Sequence, residues 1–204
     1  MQAVFEGAMY TFVFLWTPAL SPNGEHIPHG FIFALFMLSS MAGSAIAGHL
    51  LASNHRPERY MQFVFLLASA CMCVPVVFYT QATGEPVTAE TGISFSGKIQ
   101  LLSFCVFEVC IGLFWPSMMR MRAHYLPDDL RATLINCFRI PLNIFVCAVL
   151  YNVKSFPLGV MFGLCAGFMF IAYNGCQKFE ALIIKDAKGM KTAQDQESLS
   201  TATE

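Results

Sequence analysis

Charge is scarce in this sequence. Of 204 residues, 12 are Lys or Arg and 13 are Asp or Glu, so charged side chains make up 12% of the chain. That is about half the share usual in a soluble domain. With 56% hydrophobic residues, a soluble chain would lack the polar surface to cover its core. No basic run is interleaved with aromatics, which sets nucleic acid aside as a partner. H-E-x-x-H, G-x-S-x-G and a pair of intramembrane aspartates are missing too. The usual metal and nucleophile arrangements of an enzyme are therefore not indicated, and no cofactor is implied. Glu25, His26 and His29 share a turn-rich loop, a weak metal signal. The eight cysteines lie within or at the ends of apolar segments, so they read as small packing residues rather than a disulfide framework or a zinc site. Cys71 and Cys73 are two apart and would point to different faces of a helix.

What the chain does have is a succession of apolar runs. A hydrocarbon core about 30 Å thick needs about 20 apolar residues of helix. Six segments qualify, at roughly 1–20, 30–53, 60–80, 98–119, 132–152 and 156–177. The class is an all-α membrane protein with six transmembrane helices. Residues 178–204 are expected to form a cytosolic tail, polar and disordered from about Lys185. The first run is too long for a signal-peptide core and has no basic flank before it. It starts at Met1 without a lead-in, as expected of a chain that begins mid-protein.

Basic residues orient the spans. With both termini in the cytosol, the inner side holds Arg56, Arg59, Arg120, Arg122, Arg131, Lys178, Lys185, Lys188 and Lys191. The outer side then holds only Lys98 and Lys154. The connections "SPNGEHIPHG" and "QATGEPVTAETGISFSG" are turn-rich and poor in basic residues, as outer loops should be. Asp128 and Asp129 follow Pro127 and can cap the fifth helix. Ser40, Ser44 and Gly48 recur at four-residue spacing, as do Gly159, Gly163 and Gly167. Such stripes let membrane helices approach closely, here within one chain.

Four polar residues fall at membrane depth: Glu6, His49, Glu108 and Arg139. His49 is near the inner end of its span and reaches the interface. Charges near a helix centre cost about 2.5–3.5 kcal/mol on insertion scales, so they usually face a cavity or a partner. Asn136, Arg139 and Asn143, three and four apart, share one helix face as a donor-rich stripe. Pro141 cannot donate to the helix ladder and should bend the segment. Glu108 lies mid-span, while Glu6 lies near the inner end of its span and shares a face with Tyr10 and Thr17. Two roles are open for Arg139 and Glu108: a polar cavity, or a buried ion pair that fixes helix register. Spans one and four each open a three-helix unit and each carry a glutamate, as an inverted three-plus-three arrangement would.

The stretches "FEGAMYTFVFLWTPAL", "FEVCIGLFWPSMMRMR" and "RATLINCFRIPLNIFVCAVLYNV" resemble the molybdate-anion transporter family, within the major facilitator superfamily. The resemblance is to the C-terminal half and covers roughly Met1 to Ala172. It implies one six-helix bundle of a twelve-span fold that works by alternating access. Spans one, two, four and five would line or flank the cavity, with spans three and six peripheral. "GHLLASNHRPERY" keeps Gly48, Arg56 and Arg59 of the superfamily's loop motif but lacks its aspartate spacing, so a gating role is not carried over. The N-terminal bundle lies outside this chain. That implies a fragment, a half that pairs with another copy, or a half that pairs with a separate one. The implied substrate is molybdate, bound by Arg139, Asn136, Asn143 and Tyr10, since guanidinium and amide donors suit an oxyanion. Glu108 and Glu6 would serve in ion pairing or proton coupling. The implied location is the plasma membrane. Two other readings remain: transport of another small solute, or a half-length regulatory subunit that binds a full-length relative.

Overall fold

The computed structural model describes residues 1–21, 27–53, 55–81, 95–151 and 156–201. Half of the first expected outer connection and most of the second, with Glu25, His26 and Lys154, lie outside them. The side chains of Asp128, Asp129 and Arg131 do as well. Among the described residues all regular structure is helical, in the order α1 (Gln2–Leu20), α2 (His29–Ala52), α3 (Pro57–Gln81), α4 (Phe95–Tyr125), α5 (Asp128–Tyr151) and α6 (Leu158–Thr201). Five helices are long and apolar enough to cross a membrane, and α5 adds a shorter apolar stretch, Thr133–Val149. In hydrocarbon only such internally bonded elements satisfy every backbone polar group.

Two helices outrun the apolar segments. α4 continues to Tyr125, which carries Arg120 and Arg122 on its last turns. α6 continues to Thr201, where a disordered tail is expected. The reason is local. Beyond Lys185 about half of the helical residues are Ala, Lys, Gln, Glu, Met or Leu, strong helix formers that extend a helix even where the segment as a whole is polar.

The packing has an internal symmetry. α3 packs on α4 and α6, α1 packs on α4, α5 and α6, and α2 packs on α4. Exchanging helices α1, α2 and α3 for α4, α5 and α6 maps this set of contacts onto itself. The side chains on the axis repeat the exchange. The stretches "FEGAMYTF" (5–12) and "FEVCIGLF" (107–114) both begin Phe-Glu and end in Phe. Phe5 and Phe107, equivalent under the exchange, have ring centroids 6.2 Å apart. Phe5 stacks on Phe114 at 3.9 Å, and the equivalent pair Phe12 and Phe107 meets edge-on at 5.0 Å. α1 and α4 therefore run antiparallel, as two inverted three-helix units require. All four rings are almost fully buried. Lipid tails are as apolar as these rings, so their close packing rather than water exclusion holds the helices together.

Small residues set the closest approach. A Cβ on Gly112 would run into the backbone of Ser40 and Ser44, and one on Gly43 into the backbone of Val109. The expected Ser40–Ser44 stripe thus meets α4 within the chain, with Gly43 as its glycine. Gly48, Gly163 and Gly167 have open space where a Cβ would sit, and Gly159 meets only the ring of Tyr79. Polar ties also bind helix to helix. Ser103 donates to Cys71 O at 2.8 Å, and Ser69 donates to Ala166 O at 2.9 Å.

α2 and α5, which exchange under the symmetry, are each attached along a narrow stripe. Buried residues on α2 are Ile32, Phe36, Gly43 and Ala47. On α5 the buried hydrophobics are Leu142 and Val146. The remaining faces of these two helices are open.

Candidate functional site

The charged residues of α1 and α5 meet at the end of the bundle where α1 begins and α4 ends. Arg139 Nε lies 3.9 Å from Glu6 Oε2, with the glutamate side chain 2% exposed and the arginine 50% exposed. Gln2 Nε2 donates to the other Glu6 oxygen at 2.6 Å. Beside Glu6, α5 packs on α1 at Gly7, where a Cβ would lie 2.7 Å from Leu142 Cδ1. The partner of Arg139 is therefore Glu6 rather than Glu108. Glu108 is buried on α4, more than a dozen residues, or roughly 20 Å of helix, from Arg122 at that helix's end.

A cleft of about 250 Å³ opens beside the pair, between the start of α1, the end of α4 and the first half of α5. Arg122 reaches it from α4 and Arg139 from α5, with Glu6 and Gln2 on α1 and apolar Leu134, Ile135 and Phe138 opposite. Arg122 Nε is buried and has no hydrogen-bond partner among the described residues. A buried donor left without a partner is costly and marks a place where a ligand or water belongs. Two guanidinium groups against one carboxylate leave the cleft positively charged. Among the described residues no group of His, Cys, Asp and Glu is arranged to hold a metal ion.

The other expected site residues lie apart from this cleft. Asn136 and Asn143 are on the exposed side of α5, so Arg139 stands at the border between the cleft and the asparagine stripe. Tyr10 is 38% exposed on the open face of α1, in line with Glu6. α5 continues helical through Pro141, whose ring lies with Phe138, Leu142 and Phe145 in an apolar gap of about 200 Å³ between α5, α1 and α6. Arg122 is the residue the sequence pattern missed. It counted there only as an inner-side basic residue, since the apolar run ends near residue 119 and gives no sign that α4 turns this side chain into the bundle.

A bundle of two inverted three-helix units, with a charged cleft at one end and two helices open on most faces, has the architecture of a secondary-transporter half. Comparison with known proteins agrees. Residues 1–104 match the major facilitator family model described as sugar transporters with twelve transmembrane segments. Curated relatives include the molybdate-anion transporter of Xenopus laevis, 32% identical over 84% of this chain and 37% of the relative. Those of Danio rerio and Takifugu rubripes are 28% and 27% identical, each over 84% of this chain and 36% of the relative. The chain belongs to this major facilitator family. It spans about a third of the length of these relatives, 36–37%. No solved structure matches it.

Proposed function

We propose that the chain is one six-helix half of a transporter that carries molybdate into the cell by alternating access. The observation that carries this reading is the convergence of Arg122 and Arg139 on one cleft, with Arg122 Nε unpartnered. Molybdate is a tetrahedral oxyanion of charge −2, and planar guanidinium forks suit such oxygens. Glu6 holds Arg139 by a long ion pair. An oxyanion competes with that carboxylate for the guanidinium, so Glu6 acts as an internal stand-in for the substrate. Asn136, Asn143 and Tyr10 then extend the polar surface toward the second half.

The open faces of α2 and α5 are where that second half seats. They carry large exposed side chains, among them Phe31, Leu38 and Met41 on α2 and Phe138, Ile140 and Ile144 on α5. Both termini are assigned to the cytosol of the plasma membrane, on the excess of Arg and Lys at the end where the cleft lies. Glu108, buried mid-span, is assigned the uptake of a proton that accompanies the anion.

The family's description as sugar transporters favours a second reading, a neutral solute held by Asn136, Asn143 and Tyr10. The charge of the cleft argues for the anion. Binding of labelled molybdate to the purified chain in nanodiscs, challenged with sulfate and with glucose, separates the two. The anion reading expects competition by sulfate and none by glucose. Displacement by glucose alone would replace it with the neutral-solute reading.

A further inference from the structure

A second charged recess lies at the same end of the bundle, on the other flank of α4. It measures about 310 Å³ and is walled by Arg56 before α3, Arg120 and His124 on α4, and Ile183 and Ala187 on α6. The helical continuation of α6 beyond its apolar run supplies the last two. His55 and the carboxylate of Glu58 complete the polar lining, and Leu51 and Met121 add apolar wall. Glu58 is only 6% exposed, and its Oε1 accepts a hydrogen bond from Tyr125 at 2.7 Å. Neither Arg56 nor Arg120 has an ion-pair partner among the described residues. Two guanidinium groups and two imidazoles thus face a space with a single carboxylate, which holds the Tyr125 hydroxyl.

We infer that this recess seats the phosphate of an anionic phospholipid headgroup. Its position decides between occupants of like charge. It sits where the apolar runs of α2 and α4 give way to basic residues, the level of the lipid headgroups. Basic pockets between helices at that level bind such headgroups. The apolar wall from Leu51, Met121 and Ile183 suits the glycerol and first methylenes of a lipid and offers nothing to a free phosphate ion. The inference is independent of the transport reading, since it uses neither Arg122 nor Arg139.

The test is binding of phosphatidylserine, phosphatidylcholine and inorganic phosphate to the purified 204-residue chain in detergent micelles. Arg56→Gln and Arg120→Gln are compared with Arg59→Gln, a neighbouring exposed arginine outside the recess. Phosphatidylserine should bind in preference to phosphatidylcholine. Each recess variant should weaken it roughly fivefold, as expected for one arginine at a membrane surface, with Arg59→Gln unchanged. Equal affinity for the two lipids, or equal loss in all three variants, would overturn the site. Inorganic phosphate displacing the lipid at comparable concentration would reassign it to a soluble anion. Lipid binding that vanishes once an N-terminal bundle is joined would assign it to acidic side chains of that bundle.

Discussion

Arg122 and Arg139 differ in what their loss should do. Arg122 has no partner at Nε, so Arg122→Gln relieves a buried unpaired donor and should not lower thermal stability. It should nevertheless weaken molybdate binding tenfold or more, since a hydrogen bond to a charged group contributes about 1.5–3 kcal/mol. A calorimetric titration paired with a melting curve reads both. A change that unfolded the protein instead would make Arg122 a structural residue. Glu6→Gln should act in the opposite direction, tightening the oxyanion by roughly a few-fold, because it removes a competing negative charge beside Arg139. Glu108→Gln tests the proton assignment. Uptake by the joined transporter should lose its dependence on external pH, and an unchanged pH profile would remove Glu108 from coupling. At this scale the sequence was partly legible. Arg139, Glu6 and Glu108 stand out because charge is rare in apolar runs. Which of the two glutamates meets Arg139 was not visible, because that depends on α5 packing against α1.

Between elements, the decisive contact is the crossing of α2 and α4 at Gly43 and Gly112. Backbone, not a flexible side chain, stands where each missing Cβ would be. Gly112→Ala should therefore force the helices apart and destabilise by about 1–3 kcal/mol, as overpacking does. Gly163→Ala and Gly167→Ala open onto free space and should stay within about 0.5 kcal/mol. Denaturation in detergent, followed by tryptophan fluorescence, compares them directly. A similar loss in all three variants would place the close approach elsewhere. Sequence spacing revealed that small-residue stripes exist. It could not reveal which stripe has a helix behind it, and so it gave equal weight to one on α2 and one on α6. The six apolar helices were legible from length and hydropathy alone. The end of α4 and the long continuation of α6 were not, because polar residues of high helix propensity extend a helix without extending its apolar run.

For the molecule as a whole, the symmetry of the contacts relates its closely packed helices to its open ones. Helices α1, α3, α4 and α6 supply most of the buried aromatic core, with Phe36 of α2 packed against it, whereas α2 and α5 each present open faces. A second six-helix bundle seated on those faces would convert the cleft at Arg122 and Arg139 from a surface notch into a closed cavity. The most direct measurement is cellular molybdate uptake by this chain alone, by the chain joined to the N-terminal bundle of a relative, and by the joined form carrying Arg122→Gln or Arg139→Gln. The account predicts uptake in the joined form only, lowered at least about tenfold by either substitution. Uptake that survives both substitutions would contradict it.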